Sequence, residues 1–178
     1  MRKTQIGIIG GEEKNLNDEE KKLFFSLAEE IGSLLAKKGV ILITGGCSGI
    51  SEAACQGAIN GGGITVGTPG PKRFSSTKNV TVEICTPIDI GDYLFAGILS
   101  SDVIIVFPGG AGTLAEIALA YRYRKPLVFI GGISDDIFKK LFGNIEKDYP
   151  FYVAKDAFSA VKLSLKAAEE KLNKVRDT

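Results

Sequence analysis

Residues 103–116 read V-I-I-V-F-P-G-G-A-G-T-L-A-E, and this stretch decides the fold. The apolar run Val103 to Phe107 predicts a buried strand, Pro108 stops it, Gly109, Gly110 and Gly112 make a turn, and a helical pattern starts near Thr113. Strand, glycine turn and helix N-terminus in succession gather backbone N–H groups, unhindered by β-carbons, at the positive end of a helix dipole. Such a point binds an anion, a phosphate above all. One turn into the helix stands Glu116, a carboxylate beside a site that otherwise attracts negative charge, which points to chemistry or to sugar recognition.

The pattern recurs on both sides of this stretch. Gln5 to Ile9 is a short apolar strand closed by Gly10 and Gly11. Asn17 is placed as an N-cap with Glu20 three positions on, and Leu23, Phe24, Leu27, Ala28, Ile31, Leu34 and Leu35 then share one helical face up to Gly39. Val40 to Thr44 is the second strand, opening through Gly45 and Gly46 into a helix from Ile50 to Asn60. Ile64 to Gly67 is the third strand, Asn79 to Cys85 the fourth, and a mostly apolar helix follows from Gly91 to Ser100. Beyond Tyr123 come a strand from Leu127 to Ile130, a helix from Asp135 to Phe142, a strand from Phe151 to Ala154 and a closing helix from Asp156 to Lys174.

This alternation predicts one Rossmann-like α/β domain over residues 1–178, a three-layer sandwich with a mainly parallel sheet of six or seven strands. Ligands of such sheets bind at the carboxyl ends of the strands. The turns at Gly10–Gly11, Gly45–Gly46 and Gly109–Gly112 all fall there, so a nucleotide or sugar phosphate is the expected ligand.

Composition narrows the chemistry. With 22 basic and 21 acidic residues there is no broad electrostatic footprint for nucleic acid or a membrane surface, so an anion site must be local. No leader-like core or membrane-length apolar run is seen, and the expected location is the cytoplasm. Cys47, Cys55 and Cys85 read as reduced thiols. Histidine is absent, which removes Ser-His-Asp and Cys-His nucleophilic sites and the usual zinc sites; no metal or cofactor is expected. Neither G-x-G-x-x-G after the first strand nor G-x-x-x-x-G-K-[ST] anywhere is present, against NAD binding or ATP hydrolysis.

The segment Pro108 to Glu116 resembles the P-G-G-x-G-T-x-x-E motif of the Lonely Guy family, the cytokinin-activating phosphoribohydrolases long mislabelled lysine decarboxylases. Thr44-Gly45-Gly46 through Gly57-Ala58, with Gly62 and Val66-Gly67, is similar to that family's second glycine region, and the likeness runs from Gln5 to Gly132. It implies a Rossmann-like dimer that cleaves the N-glycosidic bond of a nucleoside 5′-monophosphate, giving free base and ribose 5-phosphate. A similar branch holds molybdenum cofactor carrier proteins, which bind and do not react. By this resemblance Gly109, Gly110, Gly112 and Thr113 hold the 5′-phosphate, and Glu116 faces the ribose, where a carboxylate stabilises oxocarbenium character.

At the position where the phosphoribohydrolases carry an arginine, this chain has Tyr93, and no basic residue lies between Thr81 and Tyr121. A phenol does not replace a guanidinium fork. Lys72 and Arg73 are the cations able to supply the charge from another direction, although a solvated loop position suits them better. Two readings therefore stand, an N-glycosidase working through Glu116, and a carrier or sensor of a phosphorylated ligand such as molybdenum cofactor. Lysine decarboxylation is discounted, since nothing marks a lysine for a pyridoxal Schiff base.

Among the remaining residues, Cys47 at a helix start has a setting that lowers a thiol's pKa, or is simply a small turn residue. Ser48 is expected to cap the second helix, with contact to a ligand as its second reading, and Arg122, Arg124 and Lys125 are expected to complement the carboxyl end of the helix after the motif. The apolar segments Tyr93 to Leu99 and Leu114 to Tyr121 are expected to carry self-association, as a homodimer or a dimer of dimers.

Overall fold

A computed structural model describes residues 2–86, 92–131 and 149–176. Its elements in chain order are β1 (Gln5–Ile9), α1 (Asp18–Lys37), β2 (Ile41–Thr44), α2 (Ile50–Asn60), β3 (Ile64–Gly67), β4 (Val82–Glu83), α3 (Asp92–Ser100), β5 (Val103–Val106), α4 (Ala111–Arg122), β6 (Leu127–Phe129), β7 (Phe151–Val153) and α5 (Ala157–Arg176). The seven strands form one sheet in the order β4-β3-β2-β1-β5-β6-β7. Every pairing is parallel. The helix expected over Asp135–Phe142 lies outside the described residues.

Both faces of the sheet are covered, which is why β5 reads as an unbroken apolar run. Val103, Ile105 and Phe107 point to one face, where Phe24, Ile31 and Leu35 of α1, Ala54 of α2 and Ala160 and Val161 of α5 pack. Ile104 and Val106 point to the other, against Ile98 of α3 and Ile117 and Ala120 of α4. At the start of α1 the capping box forms as its spacing predicts, Asn17 Oδ1 accepting from the Glu20 N–H at 2.9 Å and Glu20 Oε2 from the Asn17 N–H at 3.0 Å.

Among the boundaries that differ from expectation, two have a visible cause. The strand expected over Asn79–Cys85 shrinks to Val82–Glu83. Thr65 takes over the pairing there with its side chain, its Oγ1 donating to the Asn79 carbonyl at 2.7 Å and accepting from the Thr81 N–H at 2.8 Å, so the ladder only begins after Thr81. The helix after the glycine turn starts at Ala111 and not at Thr113, because Gly110 serves as N-cap and its carbonyl accepts the Leu114 N–H at 3.1 Å.

Helices α1 and α2 meet backbone to backbone through a pair of glycines. A β-carbon on Gly32 would run into the Ala54 carbonyl, and one on Gly57 into the Glu29 carbonyl. Gly57→Ala is therefore expected to lower stability by about 1–3 kcal/mol, the usual cost of overpacking, despite alanine's better helix propensity. Urea unfolding checks it; an unchanged or raised midpoint would show that the helices separate freely.

Candidate functional site

The strand order reverses at β1, since the chain leaves it through β2, β3 and β4 on one side and returns to β5 on the other. The carboxyl ends of β1 and β5 therefore border a crevice, the usual ligand position in an open parallel sheet. A cavity of about 80 Å³ lies in it, lined by Ile9, Gly10, Gly11, Glu12, Gly45, Cys47, Ser51, Gly110, Gly112, Thr113 and Glu116. Pockets that bury a whole ligand run to roughly 300–1,000 Å³. This one suits a head group, with the remainder of a ligand lying along the rim.

Its walls are backbone held against backbone. The Gly11 N–H donates to the Pro108 carbonyl at 2.9 Å, the Phe107 N–H to the Ile9 carbonyl at 2.9 Å, and the Ile50 N–H to the Gly11 carbonyl at 3.2 Å. Such contacts need bare backbone. A β-carbon on Gly49, whose φ is +83°, would lie 2.6 Å from the Gly11 oxygen, and one on Gly109 would lie 2.8 Å from the Gly11 nitrogen. Gly49 is also the N-cap of α2, so Ser48 does not cap that helix. The expected hydroxyl contact is replaced by the Ile50 N–H bond to Gly11.

At the opposite wall the N-cap of α4 is Gly110, which has no side chain to satisfy the first amides of the helix. The N–H groups of Ala111, Gly112 and Thr113 belong to the first turn, where no intrahelical acceptor exists, and the dipole is positive there. Thr113, 6% exposed, turns its hydroxyl back over Gly109. This arrangement offers donors to an anion without any cationic side chain.

Of the residues the sequence points to, Gly10, Gly11, Gly45, Gly110, Gly112, Thr113 and Glu116 come together around the cavity. Gly46 and Gly109 do not line it. Gly46 is buried behind it, its N–H donating to Thr44 Oγ1 at 3.1 Å and its carbonyl accepting the Thr77 N–H at 2.9 Å. Gly109 supports the wall by its close approach to Gly11 and Thr113. Lys72 and Arg73 are not among the lining residues; Arg73 lies 4.9 Å over the Phe74 ring and borders a separate cavity with Glu83. Tyr93 lies on α3, and its side chain falls outside the described residues. Glu12 and Ser51 join the site unanticipated, the first following Gly10–Gly11 directly and the second reaching it from the first turn of α2.

The electrostatics are unusual for an anion site, because its two ionisable oxygens are acidic. Glu12 is neutralised at the mouth by Lys14, 2.8 Å away. For Glu116 no cationic partner is found among the described residues, and burial alone pushes its carboxyl up to about 8. It therefore holds its proton at neutral pH and presents an O–H donor. Cys47 does not become the activated thiol that its position near a helix start allows. Burial pushes it up, the nearby Glu12 and Glu116 carboxylates add to this, and a long 3.9 Å hydrogen bond to Ser51 Oγ only partly opposes it. Lys125 does not serve the end of α4, since its Nζ donates to the carbonyls of Leu99 and Ser101. Among the described residues no group of side chains could hold a metal ion, and no helix is long and apolar enough to cross a membrane.

A family model described as the SLOG cluster4 family matches residues 3–159. The structure is similar to the molybdenum cofactor binding protein from the phototrophic bacterium Rippkaea orientalis, with 31% identity and a TM-score of 0.78 over 93% of this chain and 98% of that one. It is also similar to the molybdenum cofactor carrier protein of Chlamydomonas reinhardtii, with 30% identity and a TM-score of 0.79 over 94% and 99% of the two chains. An uncharacterised protein of Archaeoglobus fulgidus is 37% identical over 126 residues, 70% of this chain and 78% of that protein.

The raised Glu116 carboxyl ties stability to pH. Between the ordinary glutamate value of 4.5 and about 8, the folded state keeps a proton that the unfolded chain has released. Stability from this group is thus full below 4.5 and falls as pH rises towards 8. Glu116→Gln removes the titration, so its melting temperature relative to the parent should climb from pH 5 to pH 8.5. Melting curves at four or five pH values check this, and a constant difference would contradict the burial of the carboxyl.

Proposed function

The chain belongs to the SLOG cluster4 family, and on that premise we propose that it is a carrier or sensor that binds a phosphorylated small molecule without turning it over. The phosphate sits on the first-turn amides of α4, from Ala111 to Thr113, with Gly10, Gly11 and Gly45 closing the opposite side. The two solved structures named above are described by their binding or carrying of molybdenum cofactor, which makes that cofactor the leading candidate cargo.

One observation carries this reading, that among the described residues no cation lines the cavity with Glu116. Glycosidic cleavage builds positive charge on the sugar, and an ionised carboxylate is what stabilises it. Deprived of a partner, Glu116 is held neutral, and a neutral carboxyl donates a hydrogen bond to an anionic ligand more readily than it stabilises a cation. The same proton supports a second reading. A carboxylic acid that retains its proton at neutral pH can pass it to a departing base, which keeps nucleoside 5′-monophosphate hydrolysis as the alternative.

Two measurements separate these. Incubated with a panel of nucleoside 5′-monophosphates, the protein is expected to leave every glycosidic bond intact; release of free base and ribose 5-phosphate, abolished by Glu116→Gln, would install the hydrolase reading instead. The phosphate position is tested by Gly112→Asp. Open space surrounds a β-carbon at Gly112, so the substitution fits the fold, while it adds a negative charge beside the first-turn amides proposed to hold the anion. Inorganic phosphate is expected to shift the amide resonances of residues 110–113 in the parent and to leave them in place in the variant. Equal shifts in both would put the phosphate elsewhere.

A further inference from the structure

The opposite edge of the sheet carries a second cluster that the proposed function does not use. Arg2 and Lys3 lead into β1, Asp102 into β5 and Lys125 into β6, while Lys171 reaches the same place from α5. Between them is a cavity of about 370 Å³. We propose that this cavity is a second anion site, built for a phosphate-class oxyanion and separated from the glycine crevice by the length of the strands.

The charge inventory is the first argument. Four cations, Arg2, Lys3, Lys125 and Lys171, face a single carboxylate, Asp102. That carboxylate is already committed on both oxygens, Oδ1 to Arg2 Nη2 at 2.9 Å and Oδ2 to the Gln5 N–H at 2.9 Å. It fixes Arg2 and the start of β1, and as one negative charge among four positive ones it offsets only part of the cluster. The second argument is the placement of Lys125. Its Nζ donates to the Leu99 carbonyl at 2.6 Å and the Ser101 carbonyl at 2.8 Å, which pins the ammonium in the cavity wall beside Lys171.

Lys171 stands against this pinned group. Like charges at close range in a partly desolvated cavity repel strongly unless an anion lies between them. The strain shows in Lys125, whose ammonium is held down to about 8 by burial first and by the charge of Lys171 second, against the partial relief of Asp102. An oxyanion bridging the two lysines removes that repulsion and adds charge-assisted hydrogen bonds from both. Leu99 and Leu172, 42% and 50% exposed, border the cavity and give an organic substituent on the phosphate an apolar surface to lie on.

The test is a titration with inorganic phosphate at fixed sodium chloride, followed by amide resonances and run on the parent, Gly112→Asp and Lys171→Gln. The amides of Ser101, Asp102 and Lys125 are expected to move in the parent and equally in Gly112→Asp, which disables only the glycine crevice. Lys171→Gln is expected to weaken that response about tenfold, the loss of one charge-assisted contact, while shifts at residues 110–113 persist. If Ser101, Asp102 and Lys125 stay still, or if Lys171→Gln titrates like the parent, the second site does not exist. Failure at residues 110–113 alone would count against the crevice reading and leave this one standing.

Discussion

Everything at the ligand crevice depends on three chain segments that touch through their backbones. Gly11 is the hub, giving its N–H to Pro108 and its carbonyl to Ile50. The first bond ties β1 to the turn after β5, and the second ties β1 to the start of α2. Gly49 and Gly109 press against the same residue from either side, at distances that no side chain tolerates. Because the strands on either side are buried and in parallel register, from Ile6 with Val103 to Ile9 with Val106, the hub cannot drift along the sheet. Two helix N-termini are thereby aimed at one small volume, and the donors that face it are peptide amides whose positions the sheet dictates.

On the proposed reading, that construction lets a chain with a net charge of only +1 hold an anion where, among the described residues, no lysine or arginine lines the cavity. Peptide dipoles supply the attraction, and they need no counter-charge when the site is empty. The carboxyls then become the informative residues. Glu12 has Lys14 to balance it, whereas Glu116 has burial and no cationic partner among the described residues, which holds its carboxyl up at about 8. A protonated carboxyl in the first turns of a helix extends the row of donors begun by the amides, so the residue that looked out of place in an anion site becomes compatible with it.

Much of this was legible in the residues. The apolar runs ending in glycine located β1, β2 and β5, and the Asn17 and Glu20 spacing gave the start of α1, because both depend on interactions local in sequence. What escaped depended on contacts between distant segments. The strand β4 is short because of the Thr65 hydroxyl, sixteen positions from Thr81. Gly46 and Gly109 carry the same glycine signal as their neighbours, yet one is turned towards Thr77 and the other props Thr113. Ser48 fits a capping rule that the hub at Gly11 overrides. Lys125 fits a helix-end rule, but the carbonyls it meets belong to α3 and the following turn, across the amino-terminal edge of the sheet.

The two ends of the sheet solve opposite problems with opposite means, and the contrast bears on how each would hold a ligand. At the carboxyl end, rigid neutral donors surround a small space, so recognition rests on fit. At the amino end, four cations, with Arg2 held by Asp102 and Lys125 by two carbonyls, surround a larger space with a net excess of positive charge. Binding there rests on charge, and it is sensitive to salt. On the proposed reading, cargo is held at the end where geometry selects it and where Glu116 remains neutral. The charged end, with Lys125 pinned by two carbonyls beside β5 and β6, is free to answer a different anion without competing for the same donors.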